Sequence, residues 1–314
     1  MQVALFGGTG FIGHYIAREL VAQGMTVRIL TRQSRASADP YLHETTLIRG
    51  SVLDGGTVET CLAGCEALVY SVGVIREFPG QLTYQEAHVE GVGTVLAAAR
   101  KLGVRRAVLI SAHGVENHHT PYEITKEAGE RLVRESDLDW TILRPSLVFG
   151  DPHGRMELAT QLVRQLIRPR LPLPLFFSGW NPRHAGSFRL TPVQVQDLAR
   201  IVRWCLETPA ESVGRVFPVG GPVACTWRTM LETLSTVTGR KKWAFPVPVG
   251  AIRPLVWLLG RFSWFPLTLD QLRMLVRGNT CYDPDLYLRA GFQPRPWDES
   301  TLGYLRSPGM PPGT

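Results

Sequence analysis

Val3-Ala4-Leu5-Phe6-Gly7-Gly8-Thr9-Gly10-Phe11-Ile12-Gly13 is the stretch that decides the fold. Four apolar residues in a row read as a strand buried on both faces, the pattern of a parallel sheet covered by helices. Glycines follow at 7, 10 and 13, and apolar residues at Ile12, Ile16, Leu20 and Val21 mark a helix that Gly24 closes. In such a strand-turn-helix, Gly7 permits the tight turn, Gly10 lets the backbone approach a pyrophosphate, and Gly13 lets the helix pack against the sheet. The free N–H groups and partial positive charge of the helix end then face the phosphates. Gly7, Thr9, Gly10, Phe11, Ile12 and Gly13 are therefore predicted to hold a dinucleotide.

The same rhythm continues outward. Apolar runs at Thr26 to Leu30, Thr46 to Ile48, Ala67 to Val72, Ala107 to Ile110 and Trp140 to Leu143 alternate with helical patterns, two of them at Thr83 to Lys101 and Tyr122 to Glu135. Parallel strands need crossovers and helices supply them, so the pattern predicts an α/β, Rossmann-type doubly wound parallel sheet over residues 1–150. Beyond Asp151 the rhythm changes. Pro and aromatics crowd between Pro169 and Pro182, and a strand-helix unit returns at Leu190 to Leu206. A strand at Arg215 to Val219 precedes a helix that Thr226 could cap, and Thr268 with Gln271 reads as a capping box. Residues 151–306 are expected to form a smaller C-terminal lid interleaved with the first domain, and 307–314, rich in Pro and Gly, a loose tail.

Composition narrows the class. With 44% hydrophobic and 19% charged residues the 314-residue chain is globular in balance. No run reaches the roughly 18 apolar residues of a spanning helix, and a strand beginning at Val3 predicts no leader peptide and a cytoplasmic protein. Five cysteines (61, 65, 205, 225 and 281) without tight spacing argue against a disulfide framework, and no metal site is expected. The net charge of +7 points to phosphate-bearing partners. Scattered arginines and the lack of a recognition motif argue against nucleic acid.

The residue after the second strand sets the expected cofactor. A site for NAD commonly places a carboxylate there for the ribose hydroxyls. Here Thr31-Arg32-Gln33-Ser34-Arg35 has none, and Arg32 and Arg35 could clamp a 2′-phosphate, which favours NADP(H) over NAD(H). Asp54, after the third strand, is placed to bond the adenine amino group. Ser71, Val72 and Gly73, ending the fourth, are small enough for backbone to reach ribose and phosphate.

Taken with Tyr122-Glu123-Ile124-Thr125-Lys126 and Arg144-Pro145-Ser146, this order of motifs resembles the short-chain dehydrogenase/reductase superfamily, in its extended and atypical branch. Tyr84 to Gly91, Gly103-Val104-Arg105-Arg106, Ile110-Ser111-Ala112, Arg144 to Gly150 and Asp270 to Leu275 are similar to nucleotide-binding accessory subunits of respiratory complex I and their bacterial relatives. The resemblance spans nearly the whole chain. It implies NADPH binding and association with quinone or membrane-linked respiratory machinery.

Reductase chemistry in that superfamily needs a Tyr acid/base and a Lys one helical turn later. Tyr122 and Lys126 have that spacing, and the lysine charge is expected to lower the tyrosine pKa and bond the nicotinamide ribose. Ser111 offers a hydroxyl to polarise a substrate carbonyl. Extended members usually carry the working hydroxyl slightly later, where this chain has Ala112 or His113. From Trp243 to Phe265 the chain reads WAFPVPVGAIRPLVWLLGRFSWF, next to Arg240-Lys241-Lys242. Aromatics with arginines suit a membrane interface, and so does the apolar loop Leu171 to Phe177. Equally, both could line a core or a hydrophobic cleft. Three functional readings stay open. The first is an NADPH-dependent oxidoreductase acting on a hydrophobic carbonyl or quinone. The second is a non-catalytic NADPH-binding module that docks on an anionic membrane or a respiratory complex. The third is a sugar epimerase or dehydratase.

Overall fold

The computed structural model describes residues 1–32, 43–78, 80–117, 119–260 and 267–306. The chain begins with β1 (Gln2–Phe6), α1 (Phe11–Ala22), β2 (Thr26–Thr31), β3 (Thr46–Arg49), α2 (Gly55–Leu62) and β4 (Ala67–Tyr70). A π-helical turn, Glu86–Glu90, leads into α3 (Gly91–Leu102), followed by β5 (Arg106–Ile110), α4 (Pro121–Arg134) and β6 (Asp139–Pro145). Then come β7 (Val148–Phe149), α5 (Leu158–Leu162), β8 (Leu173–Phe177), β9 (Arg189–Leu190), β10 (Val193–Gln194), α6 (Val195–Glu207), α7 (Pro209–Ser212) and β11 (Arg215–Val219). The last elements are β12 (Cys225–Thr226), α8 (Trp227–Val237), β13 (Ala244–Pro248), α9 (Val249–Leu259), α10 (Leu269–Arg277) and α11 (Pro284–Arg289).

The described chain forms two compact units. The first takes Met1–Pro145, Val195–Val219 and Asp285–Phe292; the second takes Ser146–Gln194, Gly220–Pro284 and Gln293–Thr314. The strand Arg215–Val219 and helix α6 thus belong to the nucleotide-type unit, although they follow Asp151 in sequence.

Unit one is a seven-stranded sheet in the order β11-β6-β5-β4-β1-β2-β3, every neighbouring pair parallel. From β1 the chain first adds β2 and β3 on one side, then returns to place β4, β5 and β6 on the other. This reversal between β1 and β4 is the point where an open α/β sheet leaves a crevice at its strand carboxyl ends. Right-handed crossovers running opposite ways put α1 on one face and α2, α3 and α4 on the other. Ala4, Phe6, Leu68 and Tyr70 accordingly pack with Val58, Leu62, Val95 and Val133. Helix α6 joins α1, tied by Arg203 to Glu19 at 3.0 Å. β4 ends at Tyr70, two residues earlier than the apolar run suggests; the last ladder bond runs from Ser71 N–H to Phe6 O at 2.8 Å.

Unit two holds three two-stranded ribbons: β7 with β10 and β8 with β13 parallel, β9 with β12 antiparallel. Its core gathers Phe149, Phe176, Trp227, Met230 and Leu234, with Trp297 edge-on to Phe149. Thr226 caps α8 and Thr268 with Gln271 completes a capping box on α10, both where the sequence places them. The stretch from Trp243 is a strand running into a helix, β13 and α9. Among the described residues, no helix is long and apolar enough to cross a membrane.

Candidate functional site

The glycine turn is built as its residues require. Gly7 has φ +89, a left-handed conformation, and a Cβ there would lie 2.8 Å from Ser71 C and O. A Cβ on Gly13 would lie 2.1 Å from Gly7 O. The first turn of α1 therefore sits directly against the turn it leaves, with Gly10 as its N-cap and Gly10 N–H donating to Gly7 O at 3.0 Å. Phe11, Ile12 and Gly13 open that helix, and no carbonyl of the helix can satisfy their N–H groups. The helix's first turn carries no acidic residue, so nothing opposes an anion there. Thr9 lies half-buried within the turn.

Across the switch point, Ser71 follows β4. Its hydroxyl is buried with no hydrogen-bond partner among the described residues, and a ribose or phosphate oxygen would satisfy it. Val72 packs on the sheet core and Gly73 is exposed. Close backbone approach, a free helix end and an orphaned hydroxyl all suit a dinucleotide.

Farther along the strand ends, α4 brings in Tyr122 and Lys126. Thr120 caps the helix, its Oγ1 accepting from Glu123 N–H at 3.2 Å, and Pro121 takes the first helical position. Lys126 is buried, and its Nζ donates to Ile110 O at 3.1 Å. A Cβ on Gly73 would be 3.2 Å from that same Nζ, so the ammonium stands at the carboxyl ends of both β4 and β5. Burial pulls its pKa down to about 8 against the raising charge of Glu130.

Tyr122 is half-buried in an aromatic group, edge-on to Tyr84 at 5.8 Å and to His88 at 5.4 Å. Burial, joined by the charges of Tyr84 and Glu123, raises its phenol above the ordinary value. This is opposite to the lowering expected from Lys126: the ring lies in a desolvated wall, and the phenol holds its proton. His88, on the π-helical turn, accepts from Val74 N–H at 3.3 Å through Nε2 and meets Thr125 Oγ1 at 3.0 Å through Nδ1. Thr125 donates onward to Pro121 O, so the bonding pattern assigns the proton to Nδ1. Burial, then the Lys126 charge, pushes His88 down to about 2, and the ring stays neutral. It ties the loop after β4 to α4.

Ser111 stands at the end of β5, but its hydroxyl donates to Glu130 Oε1 at 2.5 Å. Glu130 is fully buried and also receives Arg144 Nε at 2.9 Å, Arg144 Nη2 at 2.7 Å and Arg134 Nη1 at 2.7 Å. The Ser111 hydroxyl thus takes part in an ion network with Glu130, Arg134 and Arg144. His113 follows on the same segment, half-buried, its N–H donating to Pro145 O at 2.9 Å.

Two expected cofactor residues lie nearby on the chain. Arg32 is exposed immediately after β2, near enough to Glu86 to contribute to lowering that carboxyl, after the hydrogen bonds from Thr83. Asp54 caps α2, its Oδ1 accepting from Gly56 N–H at 3.0 Å. Arg35 lies outside the described residues, as do His118 and the aromatic residues at 262, 264 and 265. Among the described residues no three His, Cys, Asp or Glu side chains gather as metal ligands.

A family described as NAD(P)H-binding matches residues 7–165, half of the chain, from the glycine turn past α4. The chain belongs to this NAD(P)H-binding family. It is 23% identical over 317 residues to the mitochondrial NADH-ubiquinone oxidoreductase 40 kDa subunit of Neurospora crassa, covering 96% of this chain and 78% of that one. It is 25% identical over 255 residues to a ceramide reductase of Caulobacter vibrioides, covering 78% and 73%. In fold it is similar to a UDP-glucose 4-epimerase of Thermotoga maritima, with a TM-score of 0.70, 18% identity, and coverage of 98% and 97%.

Sequence reading passed over His88, Thr125 and Glu130 as site-forming groups. One signal was present: Tyr122, Lys126 and Glu130 recur at intervals of four, one stripe along α4.

Proposed function

We propose that the protein is an NADPH-dependent reductase of a hydrophobic carbonyl or quinone-like compound. The observation that carries this reading is the placement of Lys126 Nζ at the ends of β4 and β5, one helical turn from a protonated Tyr122. When bound, NADPH would supply the hydride for reduction of the substrate carbonyl. The matching proton resides on the Tyr122 phenol oxygen, where burial keeps it at neutral pH. Lys126 offers an ammonium to the nicotinamide ribose and balances charge as that proton leaves. His88 holds the loop after β4 and the aromatic wall around Tyr122. Gly7, Gly13 and the α1 N-terminus would hold the pyrophosphate, Ser71 would meet a ribose or phosphate oxygen, and Arg32 would favour a 2′-phosphate. An apolar substrate is supported by the relatives, one a ceramide reductase and another a subunit of an NADH-ubiquinone oxidoreductase.

A second reading has its own observation. Ser111 is bound to Glu130, so the hydroxyl that would polarise a carbonyl is engaged elsewhere. That favours an accessory module which binds NADPH without turning it over. Nicotinamide absorbance followed with a panel of apolar ketones and a short-chain quinone separates the two. A reductase oxidises NADPH steadily, and Tyr122→Phe lowers kcat by about 10²–10⁴-fold with cofactor affinity kept. Tight binding without turnover in the wild type would leave the accessory reading.

A further inference from the structure

The chain's excess positive charge sits in two stretches of unit two. Five arginines lie between Leu158 and Gln194, and five lysines or arginines between Arg240 and Leu269, with no Asp or Glu in either stretch. The other 24 of the chain's 34 cations face all 27 of its carboxylates.

The fold brings the densest parts of these stretches together. The parallel register of β8 and β13 sets Leu173 opposite Ala244, and the residues preceding each strand run side by side. Leu173 N–H donates to Trp243 O at 3.0 Å, and Arg240 Nη1 to Arg168 O at 3.1 Å. Lys242 Nζ donates to the carbonyls of Pro169 and Leu171. Arg168-Pro169-Arg170-Leu171 therefore lies along Arg240-Lys241-Lys242-Trp243. Arg168, Arg170, Arg240 and Lys241 are exposed. Between them Leu171 and Trp243 are 71% and 72% exposed, two large apolar groups that the fold leaves in solvent. Helix α9, which follows β13 directly, buries only Val256 and leaves Leu255, Trp257 and Leu258 exposed.

We propose that the amino end of the β8–β13 ribbon is a docking surface for an anionic lipid bilayer. Trp243 and Leu171 enter the headgroup layer, where an amphipathic indole is most stable, and the four exposed cations meet lipid phosphates. Cations around apolar tips, on stretches that carry no carboxylate, match that partner on both counts. The proposal goes beyond the reductase reading and needs none of the residues assigned to it.

The test is pelleting of the full-length protein with vesicles of phosphatidylcholine, alone or with about 30% phosphatidylglycerol, at about 0.1 M and about 0.5 M salt. Binding is expected on the anionic vesicles, weak on the neutral ones, and reduced by salt. The double substitution Arg170→Ser with Lys241→Ser, at two exposed positions, is expected to weaken partitioning about thirtyfold and flatten the salt dependence. Trp243→Ser is expected to lower binding while leaving the salt dependence. Equal binding to both vesicle types, no pelleting, or an unchanged charge variant would overturn the proposal. So would release from anionic vesicles by low concentrations of single-stranded DNA or an acidic protein.

Discussion

Glu130→Gln removes one charge from the most heavily bonded carboxylate of α4. The side chain is fully buried and accepts four hydrogen bonds, one from Ser111, two from Arg144 and one from Arg134. Glutamine keeps the shape but turns an NH2 toward a guanidinium, leaving buried positive charge without a counterion. Breaking such a pair costs about 3–5 kcal/mol. Arg134 is partly exposed and water will recover some of that loss, so the low end, about 3 kcal/mol, is expected. At about 1.5 °C per kcal/mol for a chain of this size, the melting temperature should fall by about 4–5 °C. The pH dependence follows from the carboxyl's own titration. Burial acts to raise its pKa, but the bonds from Arg144, Ser111 and Arg134 win and hold it below the ordinary value. A depressed folded-state pKa contributes stability that is fully present above the unfolded value of about 4.3 and is lost as pH falls through the folded one. Urea unfolding of both proteins at neutral pH and in acid measures this. A gap of about 3 kcal/mol at neutral pH that narrows in acid is expected. A gap under about 1 kcal/mol at neutral pH, the worth of a surface pair, would refute the reasoning.

Gly13→Ala places a methyl carbon 2.1 Å from Gly7 O. It should cost about 1–3 kcal/mol in stability and weaken nucleotide affinity at least about tenfold, measured by titration; Gly250→Ala, with nothing within 4 Å, is the control. Lys126→Met relieves a buried ammonium whose pKa has fallen to about 8. Because the folded state releases that proton before the unfolded one, wild-type stability should rise between about pH 8 and 10.4. The variant should lose this rise and melt higher at neutral pH, while binding cofactor more weakly. Burial raises the thiols of Cys61 and Cys205 to about 12, and Cys65 and Cys225 are raised by the same cause. A thiol reagent should therefore label only Cys281, the half-exposed one, until the protein is denatured.

The parts of this fold that local pattern determines were legible in the sequence. Apolar runs located the first six sheet strands: the inner ones are apolar because both faces are covered, and the edge strand β3 keeps the half-buried pair Leu47 and Ile48. Thr226, Thr268 and Gln271 announced their helices because capping is a contact between near neighbours. What depended on distant residues was not legible. Nothing near Ser111 announces that Glu130, nineteen residues on, takes its hydroxyl, or that Arg144 from β6 completes that network. The pairing of β8 with β13 joins segments about seventy residues apart. Reading the segment from Trp243 alone therefore found its apolar character and missed the arginines at 168 and 170. Tyr122 and Lys126 could be placed on one helix from spacing, whereas the burial that raises the phenol comes from the fold, with Tyr84 and His88 packing on the ring from ahead of α3.

On the proposed function, the Gly7–Gly13 turn would bind a nicotinamide dinucleotide and Arg32 would select the phosphorylated form. Calorimetric titration of the wild type and Arg32→Ser with NADPH and NADH tests it most directly. The wild type should bind NADPH at least about tenfold more tightly than NADH, and the substitution should erase that difference by weakening NADPH alone. A wild type that prefers NADH, or an Arg32→Ser protein whose preference is unchanged, would contradict it.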